Sequence, residues 1–250
     1  LHEQNAVLGR ANRLMARAAD LLALSFEDTA NVPAGTRSAV VGNPVRPALA
    51  ALATQPYPTP PEGGALRLLV TGGSQGARIF ADVVPAAVAA LPEAIRARLL
   101  VTQQCRAEDL ARTETAYRDA GVVAHLAPFF PDIAGRLGTA HLVVARAGAS
   151  TVAELECAGR PSVLVPLPSA IDDHQNANAR ALAEADAAWV YPQPAFTPAA
   201  LTERLTALFS VPERLASAAA AASALARPQA ARDLADQVLA LARRATMGAA

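Results

Sequence analysis

The sequence is poor in the residues that most often bind nucleic acids. It contains no lysine and one tryptophan, and aromatic residues make up 4% of its 250 residues. So few aromatic side chains argue against a surface on which single-stranded bases stack. Arginine alone balances aspartate plus glutamate at 22 each, so no overall positive field attracts a polyanion. We therefore expect no nucleic acid among the partners.

The usual signatures of a metal site are also missing. Cys105 and Cys157 are the only cysteines, and they show no CxxC or zinc-type spacing. No Asp-x-Asp pair occurs, and the four histidines lack ligand spacing. We expect two buried thiols and no metal held by the protein.

Long apolar runs are absent as well. No uncharged apolar stretch reaches the length that spans a membrane. The first residues, Leu1 to Asn5, are neither basic nor followed by an apolar core, so we predict no signal peptide. The chain does not begin with methionine, and we expect it to start inside a structural element, with further sequence before Leu1.

The most informative stretch joins an apolar run to a glycine turn. Residues 66–71 are mostly leucine and valine, and Gly72-Gly73-Ser74-Gln75-Gly76 follows before apolar residues recur at helical spacing. This order predicts a strand, a tight turn and the N-terminus of a helix. Free N–H groups and the helix dipole favour an anion there, and glycines allow close approach. Both a phosphate-binding turn and an ordinary strand–helix turn fit this stretch alone.

Strands and helices alternate regularly from residue 66 onward. The predicted strands are 66–71, 99–103, 122–126, 142–145, 162–166 and 188–191. The predicted helices between them are 78–91, 107–119, 132–138, 150–158 and 174–185. This alternation predicts an α/β fold whose parallel sheet is covered by helices on both faces. After residue 197 only helices are predicted, broken at Pro212 and Pro228.

The first 65 residues are organised differently. An apolar stripe with an arginine-rich flank predicts a helix over about residues 5–20. The stripe consists of Leu8, Leu14 and Met15, and the flank of Arg10, Arg13 and Arg17. Such a flank is either solvated or faces an anionic surface. Two short strands are predicted at 21–25 and 38–42, and the proline- and glycine-rich stretch 47–65 is interpreted as an interdomain linker.

Polar clusters follow the strands at their carboxyl ends, where ligands bind in a doubly wound sheet. Arg146–Glu154 follows the strand 142–145 and opens a helix. Ser150 and Glu154 are i and i+4 on that helix and can face one point. A carboxylate there can accept two hydrogen bonds from a ribose diol. A helix cap by Ser150, with Glu154 in solvent, fits the same segment.

A second cluster follows the strand 162–166. Gln175 and Asn178 are three residues apart on one helical face. Their amides both donate and accept, which suits the hydroxyls of a sugar. An N-cap at Asp172 or Asp173 fits the segment too, and both interpretations can hold together.

The glycine turn also matches G-x-S-x-G, the nucleophile elbow of α/β-hydrolases. Ser74 would be the nucleophile, and Asp132 with His141 or His174 would complete a triad. This hypothesis is weak because the pattern is short and the strand opens its sheet, whereas an elbow strand normally follows several others. A dinucleotide site is disfavoured because the turn lacks G-x-G-x-x-G and the next strand ends in two glutamines instead of an acid.

Taken together, the motifs resemble the MurG family of bacterial glycosyltransferases. The matching stretches follow the family's order and spacing over nearly the whole chain: His2-Glu3-Gln4-Asn5, Gly42-Asn43-Pro44-Val45-Arg46, Gly72–Arg78, Arg146–Glu154 and Asp173–Asn178. The resemblance implies a GT-B fold, in which two Rossmann-like domains face a cleft. It assigns a remnant of the N-terminal acceptor domain to 1–46, a linker to 47–65, a UDP-sugar donor-binding domain to 66–227 and a helix returning to the first domain to 228–250.

The resemblance implies an activity as well. The family transfers N-acetylglucosamine with inversion from UDP-GlcNAc to lipid I, an undecaprenyl-diphosphate acceptor, giving lipid II for peptidoglycan. No cofactor is held by the protein, and the enzyme is peripheral at the cytoplasmic face of the bacterial inner membrane. The family's glycine-rich loop with its histidine has no counterpart here, so this chain is expected to retain donor binding only. A UDP-sugar epimerase or a lipid glucosyltransferase of the GT-B superfamily is the alternative, and the serine hydrolase a remote one.

The resemblance finally assigns residues to the donor. Ser74 and Gln75 would hold the diphosphate with the turn amides, the Phe130 backbone would meet the uracil, and Glu154 the ribose. Gln175 and Asn178 would hold the sugar. The remaining donor-binding residues by resemblance are Asn5, Arg46, Ala149, Ser150, Thr151, Val152 and Ala153. Glu3 is the catalytic candidate, reaching the cleft from the acceptor side.

Overall fold

The computed structural model describes residues 1–73 and 76–248, with side chains up to Arg243. Over these residues the chain forms two separate parallel sheets, one of three strands and one of six. In this described part, no helix is both long and apolar enough to cross a membrane.

The smaller sheet is built from the N-terminal part of the chain. Its strands are β1 (His2–Glu3), β2 (Leu22–Leu24) and β3 (Ser38–Val40), in that order and all parallel. Helix α1 (Arg10–Met15) lies between β1 and β2 in the chain. A small core that includes Leu8 and Ala16 packs against β2. The strand β1 was not predicted, because two residues carry no periodic signal.

The larger sheet has the doubly wound arrangement. Its strands are β4 (Leu66–Thr71), β5 (Leu99–Gln104), β6 (Val123–Ala127), β7 (Leu142–Ala145), β8 (Ser162–Leu164) and β9 (Ala188–Val190). They lie in the order β6-β5-β4-β7-β8-β9, and all pairs are parallel. The order reverses between β4 and β7, which is the switch point of a Rossmann-type sheet. The predicted α/β fold class is confirmed, and each of these six strands was predicted to within two residues.

Helices connect the strands and close both faces of this sheet. They are α2 (Pro47–Ala50), α3 (Arg78–Ala89), α4 (Glu93–Arg96), α5 (Leu110–Asp119), α6 (Ile133–Thr139), α7 (Ala149–Ala158), α8 (His174–Glu184), α9 (Pro198–Phe209), α10 (Pro212–Ala224) and α11 (Ala230–Gly248). Helix α4 was not predicted separately from α3. The last three helices follow the predicted breaks, because a proline opens α10 and α11 begins two residues after Pro228.

The alternation of side chains on the central strands explains why helices are needed on both faces. Leu66, Leu68 and Val70 of β4 join the core on one face, and Leu69 joins the core on the other. The four residues of β7 are all 0% exposed. A parallel strand that is apolar on both sides must be covered twice, which places β4 and β7 at the centre of the molecule.

The predicted helix over residues 5–20 is confirmed only in part, since the chain is helical over residues 10–18. Helix α1 begins only after Gly9, whose backbone is extended, with φ −62° and ψ 154°. Leu14 is 84% exposed and Met15 46% exposed, whereas Leu8, which precedes the helix, is 0% exposed. The apolar spacing therefore did not mark a buried helical face, because the segment before Gly9 is fixed by contacts with other parts of the chain.

The predicted linker 47–65 is packed over its first half. Helix α2 and the 3-10 turn after it bury Leu49 and Leu52, which are 1% and 5% exposed, in the core beside α7. Farther along, the Tyr57 hydroxyl donates to the His141 carbonyl at 2.7 Å. Two leucines in a proline-rich stretch were enough to anchor it. The domain boundary itself stays a prediction.

The last helix starts beside the N-terminal part of the chain. A Cβ placed on Gly42 would lie 2.8 Å from the Arg227 side chain and 3.1 Å from the Ala230 Cβ. Arg227 also forms an ion pair with Glu27 at 3.0 Å. These contacts lie where a helix returning to the first domain was predicted, and that domain assignment remains a prediction.

Buried His141 makes the fold sensitive to acid. It is 4% exposed, and its Nδ1 accepts a hydrogen bond from the Arg67 N–H at 3.0 Å, which requires a neutral ring. Burial first, and then the charges of Arg67 and Arg160, lower the pKa of His141 from 6.5 to about 4. Between these values the unfolded chain binds more protons than the folded one. The free energy of unfolding therefore falls as the pH drops from about 6.5 to about 4.

We expect His141 alone to remove about 3 kcal/mol from the free energy of unfolding between about pH 7 and about pH 4. His141→Asn is the matched control, because an asparagine oxygen can accept the Arg67 N–H and does not titrate. Urea unfolding of both proteins across this range measures the difference. Equal losses of stability in the two proteins would contradict the assignment.

Candidate functional site

The candidate site lies at the carboxyl ends of β4 and β7, where the strand order reverses. The two strands pair from Leu68 with Leu142 to Thr71 with Ala145. The connections that follow them lead to opposite edges of the sheet, so a crevice opens between them.

Glycines shape the turn after β4. Gly73 and Gly76 have φ values of +78° and +68°, in the left-handed region, and the Gly76 N–H donates to the Gly73 carbonyl at 3.1 Å. A Cβ on Gly72 would lie 2.3 Å from the Ala77 nitrogen, so any other residue would force the turn open. The two residues predicted to hold a diphosphate here lie outside the described residues; they are Ser74 and Gln75.

A buried glutamine, missed from the sequence as a functional residue, joins this turn to the loop after β6. Gln104 is 7% exposed. Its Oε1 accepts from the Thr71 hydroxyl at 3.0 Å and the Gly72 N–H at 3.1 Å. Its Nε2 donates to the carbonyls of Gly73 at 2.8 Å and Pro128 at 3.1 Å. The only signal in the sequence was a pair of amides ending an otherwise apolar strand.

The loop after β6 carries two neighbouring phenylalanines, of which Phe129 is exposed and Phe130 is buried. The Phe130 ring is 6% exposed, meets the His125 ring edge-on at 5.4 Å and lies 4.0 Å beneath the Arg136 guanidinium. Phe130 as a whole is therefore enclosed and anchors the loop. The contact of the Phe130 backbone with a uracil stays a prediction.

Helix α7 begins at the crevice with free N–H groups. Its N-cap residue is Gly148, and no side chain caps the helix, so the alternative cap by Ser150 is not formed. The Val152 N–H donates to the Gly148 carbonyl at 3.0 Å. The N–H groups of Ala149, Ser150 and Thr151 come before that bond and have no partner within the helix, so they can bind an anion.

Two other predicted residues of this helix are part of the core. Val152 is 0% exposed and Ala153 7% exposed. Val152 and Ala153 therefore pack α7 into the core, and with the Val152 N–H already bonded, the preceding three N–H groups are the ones left without a partner in the helix. Any direct donor contact of Val152 or Ala153 remains a prediction.

Glu154 lies one turn into α7, and its side chain faces Arg46, the residue just before the predicted linker. The Arg46 Nη2 lies 3.6 Å from the Glu154 Oε1, and the two side chains are 57% and 23% exposed. Burial raises the pKa of Glu154, and the positive charge of Arg46 only partly offsets this. The structure thus brings together the residue predicted for the ribose and the one predicted near the nucleotide, 108 positions apart in the chain.

The contacts of Asn178 differ from the predicted contact with the sugar. It is 0% exposed, and its Oδ1 accepts from the Ala6 N–H at 2.8 Å. Its Nδ2 donates to the Asn5 Oδ1 and to the Ala147 carbonyl, both at 3.1 Å. Both donors and the oxygen are therefore used to fasten the N-terminal segment to the loop before α7. In this arrangement the amide of Asn178 has no exposed atom for a sugar.

Gln175 keeps half of its amide available. Its Oε1 accepts from the Leu167 N–H at 3.0 Å, which ties the loop after β8 to α8. Its Nε2 has no acceptor among the described residues, so a sugar hydroxyl could accept from it. Asp173 occupies the N-cap position of α8 but makes no side-chain cap, so the capping alternative is not formed there.

Glu3 is a structural carboxylate in this arrangement. It is 4% exposed. It accepts from the N–H groups of Asn5 and Gly9 at 3.0 and 2.8 Å, and from the side chains of Asn5 and Asn12 at 3.2 and 3.0 Å. Burial alone would raise the pKa of Glu3, but these hydrogen bonds hold it below its usual range. The geometry argues against the expected catalytic role, because the carboxylate is saturated and orients Asn5.

The residues proposed for a hydrolase triad are not assembled. Asp132 accepts from Arg136 at 2.8 Å. His141 is buried against the Arg67 backbone, and the His174 Nδ1 lies 2.7 Å from the Ile171 carbonyl. Within the part of the chain that the structure describes, neither histidine hydrogen-bonds to Asp132, and Ser74 lies outside that part.

A cavity of about 610 Å³ lies beside this crevice, between the loops of the small sheet and helices α7 and α8. Ala149 and Ala153 line it, together with Asn43 from the N-terminal part. Glu154 points from a different face of α7, so the cavity adjoins the crevice and does not coincide with it. Within the described ranges, no group of three His, Cys, Asp or Glu residues could hold a metal ion.

The fastening role of Asn178 can be tested directly. Asn178→Ala leaves the Ala6 N–H buried without its acceptor, and we expect a loss of about 1–3 kcal/mol in the free energy of unfolding. Amide hydrogen exchange at Ala6 should accelerate by at least about tenfold, because the N-terminal segment detaches locally. Asn176→Ala on the exposed side of the same helix is the control. Unchanged exchange at Ala6 would exclude the fastening role.

Comparison with known proteins places this geometry in a family. The family described as "Glycosyltransferase family 28 C-terminal domain" matches residues 67–238, which include the six-stranded sheet and its crevice.

Two relatives carry the same name, UDP-N-acetylglucosamine--N-acetylmuramyl-(pentapeptide) pyrophosphoryl-undecaprenol N-acetylglucosamine transferase. The chain is 58% identical over 238 residues to the protein of Granulibacter bethesdensis, covering 95% of this chain and 62% of that protein. It is 57% identical over 241 residues to the protein of Rhodospirillum centenum, covering 96% and 64%. The chain thus spans less than two thirds of the length of these relatives.

Solved structures agree with this placement. The crystal structure of Acinetobacter baumannii MurG matches with a TM-score of 0.79 and 32% identity, covering 95% of this chain and 66% of that one. A putative UDP-N-acetylglucosamine 2-epimerase from Listeria monocytogenes matches with a TM-score of 0.60 at 15% identity, which shows a shared fold only. Since the family match covers well over half of its residues, the chain belongs to glycosyltransferase family 28, through its C-terminal domain.

Proposed function

We propose that this chain is the donor-binding part of an inverting glycosyltransferase that moves N-acetylglucosamine from UDP-GlcNAc to lipid I, forming lipid II. The observation that carries the proposal is the convergence at the switch point of the large sheet. There the glycine turn, the free N–H groups of α7 and the Arg46–Glu154 pair border one crevice. The names of the relatives supply the donor and the acceptor.

Each wall of the crevice suits one part of the donor. The first N–H groups of α7 suit a diphosphate, because they have no partner within the helix. Gly72, Gly73 and Gly76, the described glycines of the turn after β4, leave room for a close approach to them. Glu154 suits the ribose diol, since its carboxylate can accept two hydrogen bonds. The half-occupied amide of Gln175 suits a sugar hydroxyl.

The reaction requires the protein to stabilise the negative charge of a leaving group. The acceptor hydroxyl attacks the anomeric carbon from one side, the bond to the diphosphate oxygen breaks on the other, and the anomeric configuration inverts. Negative charge then develops on the departing UDP. Oriented N–H groups at the start of α7, the dipole of that helix and the guanidinium of Arg46 lie where they can stabilise this charge.

The acceptor side is supplied, in this proposal, by the part of the relatives that the present chain does not span. Glu3 contributes to that side by orienting Asn5, whose side chain reaches Asn178 in the donor half.

Joining the N-terminal third of a family member to this chain should restore transfer of N-acetylglucosamine to a lipid I analogue, measured by chromatography. The chain alone should bind the donor without transferring it. A fused protein that binds the donor but only hydrolyses or epimerises it would favour another GT-B activity.

The ribose contact offers the sharpest test of the donor site. The chain should bind UDP about tenfold more tightly than 2′-deoxy-UDP, because Glu154 loses a hydrogen-bond partner with the deoxy ligand. Glu154→Ala should weaken UDP binding by a similar factor and abolish the preference. Calorimetry measures all four affinities. Glu156→Ala, which removes a carboxylate from another face of the same helix, should keep the preference.

Two outcomes are decisive for the donor site. If the unaltered chain does not bind UDP, the proposed function of this chain fails. If it binds UDP and Glu154→Ala still discriminates between the two ligands, Glu154 is not the ribose residue.

A peripheral contact with the cytoplasmic face of the inner membrane completes the proposal, because the acceptor carries a polyprenyl chain. Leu14 and Met15 are exposed between Arg13 and Arg17, so apolar and basic groups share one surface. Arg10, the third arginine of the predicted flank, instead forms an ion pair with Asp172 at 3.3 Å.

Reversing two of these charges tests the membrane contact. The double variant Arg13→Glu with Arg17→Glu should bind vesicles rich in anionic lipid at least about tenfold more weakly than the unaltered chain. Cosedimentation measures the binding, and Arg118→Glu, an exposed arginine elsewhere, is the control. An equal loss in the control, or none in the double variant, would rule out this surface.

A further inference from the structure

The side chain of Gln104 lies between two loops of the proposed donor site. Strand β5 pairs with β4 on one side and with β6 on the other, and Gln104 is its last residue. The loop after β4 is the glycine turn, and the loop after β6 leads to Phe130. A side chain at the end of the strand between them is therefore placed to contact both.

The orientation of the amide is fixed by the chemistry of its four partners. The Thr71 hydroxyl and the Gly72 N–H face the Oε1, and the Gly72 N–H can only donate. The carbonyls of Gly73 and Pro128 face the Nε2 and can only accept. Rotating the amide by half a turn would break both carbonyl bonds and the bond from Gly72. Each hydrogen-bonding position of the side chain is thus used once.

Burial makes these bonds hard to replace. With Gln104 only 7% exposed, water cannot easily take over its partners, and unpaired groups would be left in a low-dielectric region. The Gly73 carbonyl also accepts from the Gly76 N–H at 3.1 Å, so the glutamine holds a bond that itself closes the turn. The bond to Pro128 reaches the other loop two residues before Phe130, whose buried ring anchors that loop.

We propose that Gln104 is a positioning residue that sets the spacing between the diphosphate-binding turn and the base-binding loop. It touches neither the donor nor the reacting atoms. This inference rests on the proposed function, since the two loops are taken to hold the two ends of a nucleoside diphosphate. With the spacing fixed, binding of one end places the other end next to its loop, so the two ends are recognised together.

The neighbouring residue provides a matched control. Gln103 is 0% exposed in the same strand, and successive side chains of a strand point to opposite faces. Its Oε1 accepts from the Tyr117 hydroxyl at 2.6 Å, on the side of α5 and away from both loops. Gln103→Met and Gln104→Met therefore remove the same amide from the same strand. The first removes it on the side of α5, and the second removes it between the two loops.

Calorimetry with the complete chain distinguishes positioning from general destabilisation. The probes are UDP, uridine and inorganic pyrophosphate. In Gln104→Met we expect the loss of UDP affinity to be at least about tenfold larger than the loss of affinity for uridine or for pyrophosphate alone. In Gln103→Met all three affinities should stay near those of the unaltered chain. Circular dichroism confirms that each variant is folded.

A second variant keeps the test decisive if Gln104→Met does not fold. Gln104→Asn keeps an uncharged amide but is one methylene shorter, so it cannot bond to both loops at once, and the same pattern of affinities is expected. Equal loss of all three probes, or a loss of UDP affinity as large in Gln103→Met, overturns the positioning role. Failure of the unaltered chain to bind UDP would instead overturn the proposed function.

Discussion

The pairing of β4 with β7 is the constraint on which the rest of the site depends. The glycine turn follows one strand and helix α7 follows the other, so their register decides which backbone groups face each other across the crevice. Because successive side chains of a strand point to opposite faces, a slip of one residue would exchange their two sides. A slip of two would move α7 by about 7 Å relative to the turn. The core on both faces therefore also fixes the geometry of the site.

The net charge of the chain does not describe the local charge at the crevice. The chain is neutral overall, with 22 basic and 22 acidic residues. Many arginines are occupied in structural pairs; Arg112, for example, contacts both Asp82 and Asp109. At the start of α7, oriented backbone N–H groups add positive potential to the crevice without a charged side chain. Such groups cost little reorganisation when an anion arrives, because the helix already holds them in place.

Most of the fold could be predicted from the sequence, and much less of the site. The strands of the large sheet are apolar runs bounded by glycine or polar residues, a local signal. The partners of Asn178 could not be predicted in this way, because Ala6 lies 172 positions away and only the folded chain brings them together. Gln104 was overlooked for the same reason. The motifs located the crevice, but long-range hydrogen bonds decide which polar side chains face a ligand and which hold the frame.

The ion pair between Arg46 and Glu154 has a consequence for how a nucleotide leaves. Both side chains are predicted ligand contacts, yet without a ligand they satisfy each other at 3.6 Å. In the proposed donor site, a nucleotide that contacts both side chains would compete with this ion pair, which would form again once the nucleotide leaves. Under the proposed function, the ion pair is thus an internal competitor for the donor, held at high effective concentration because both groups belong to one chain.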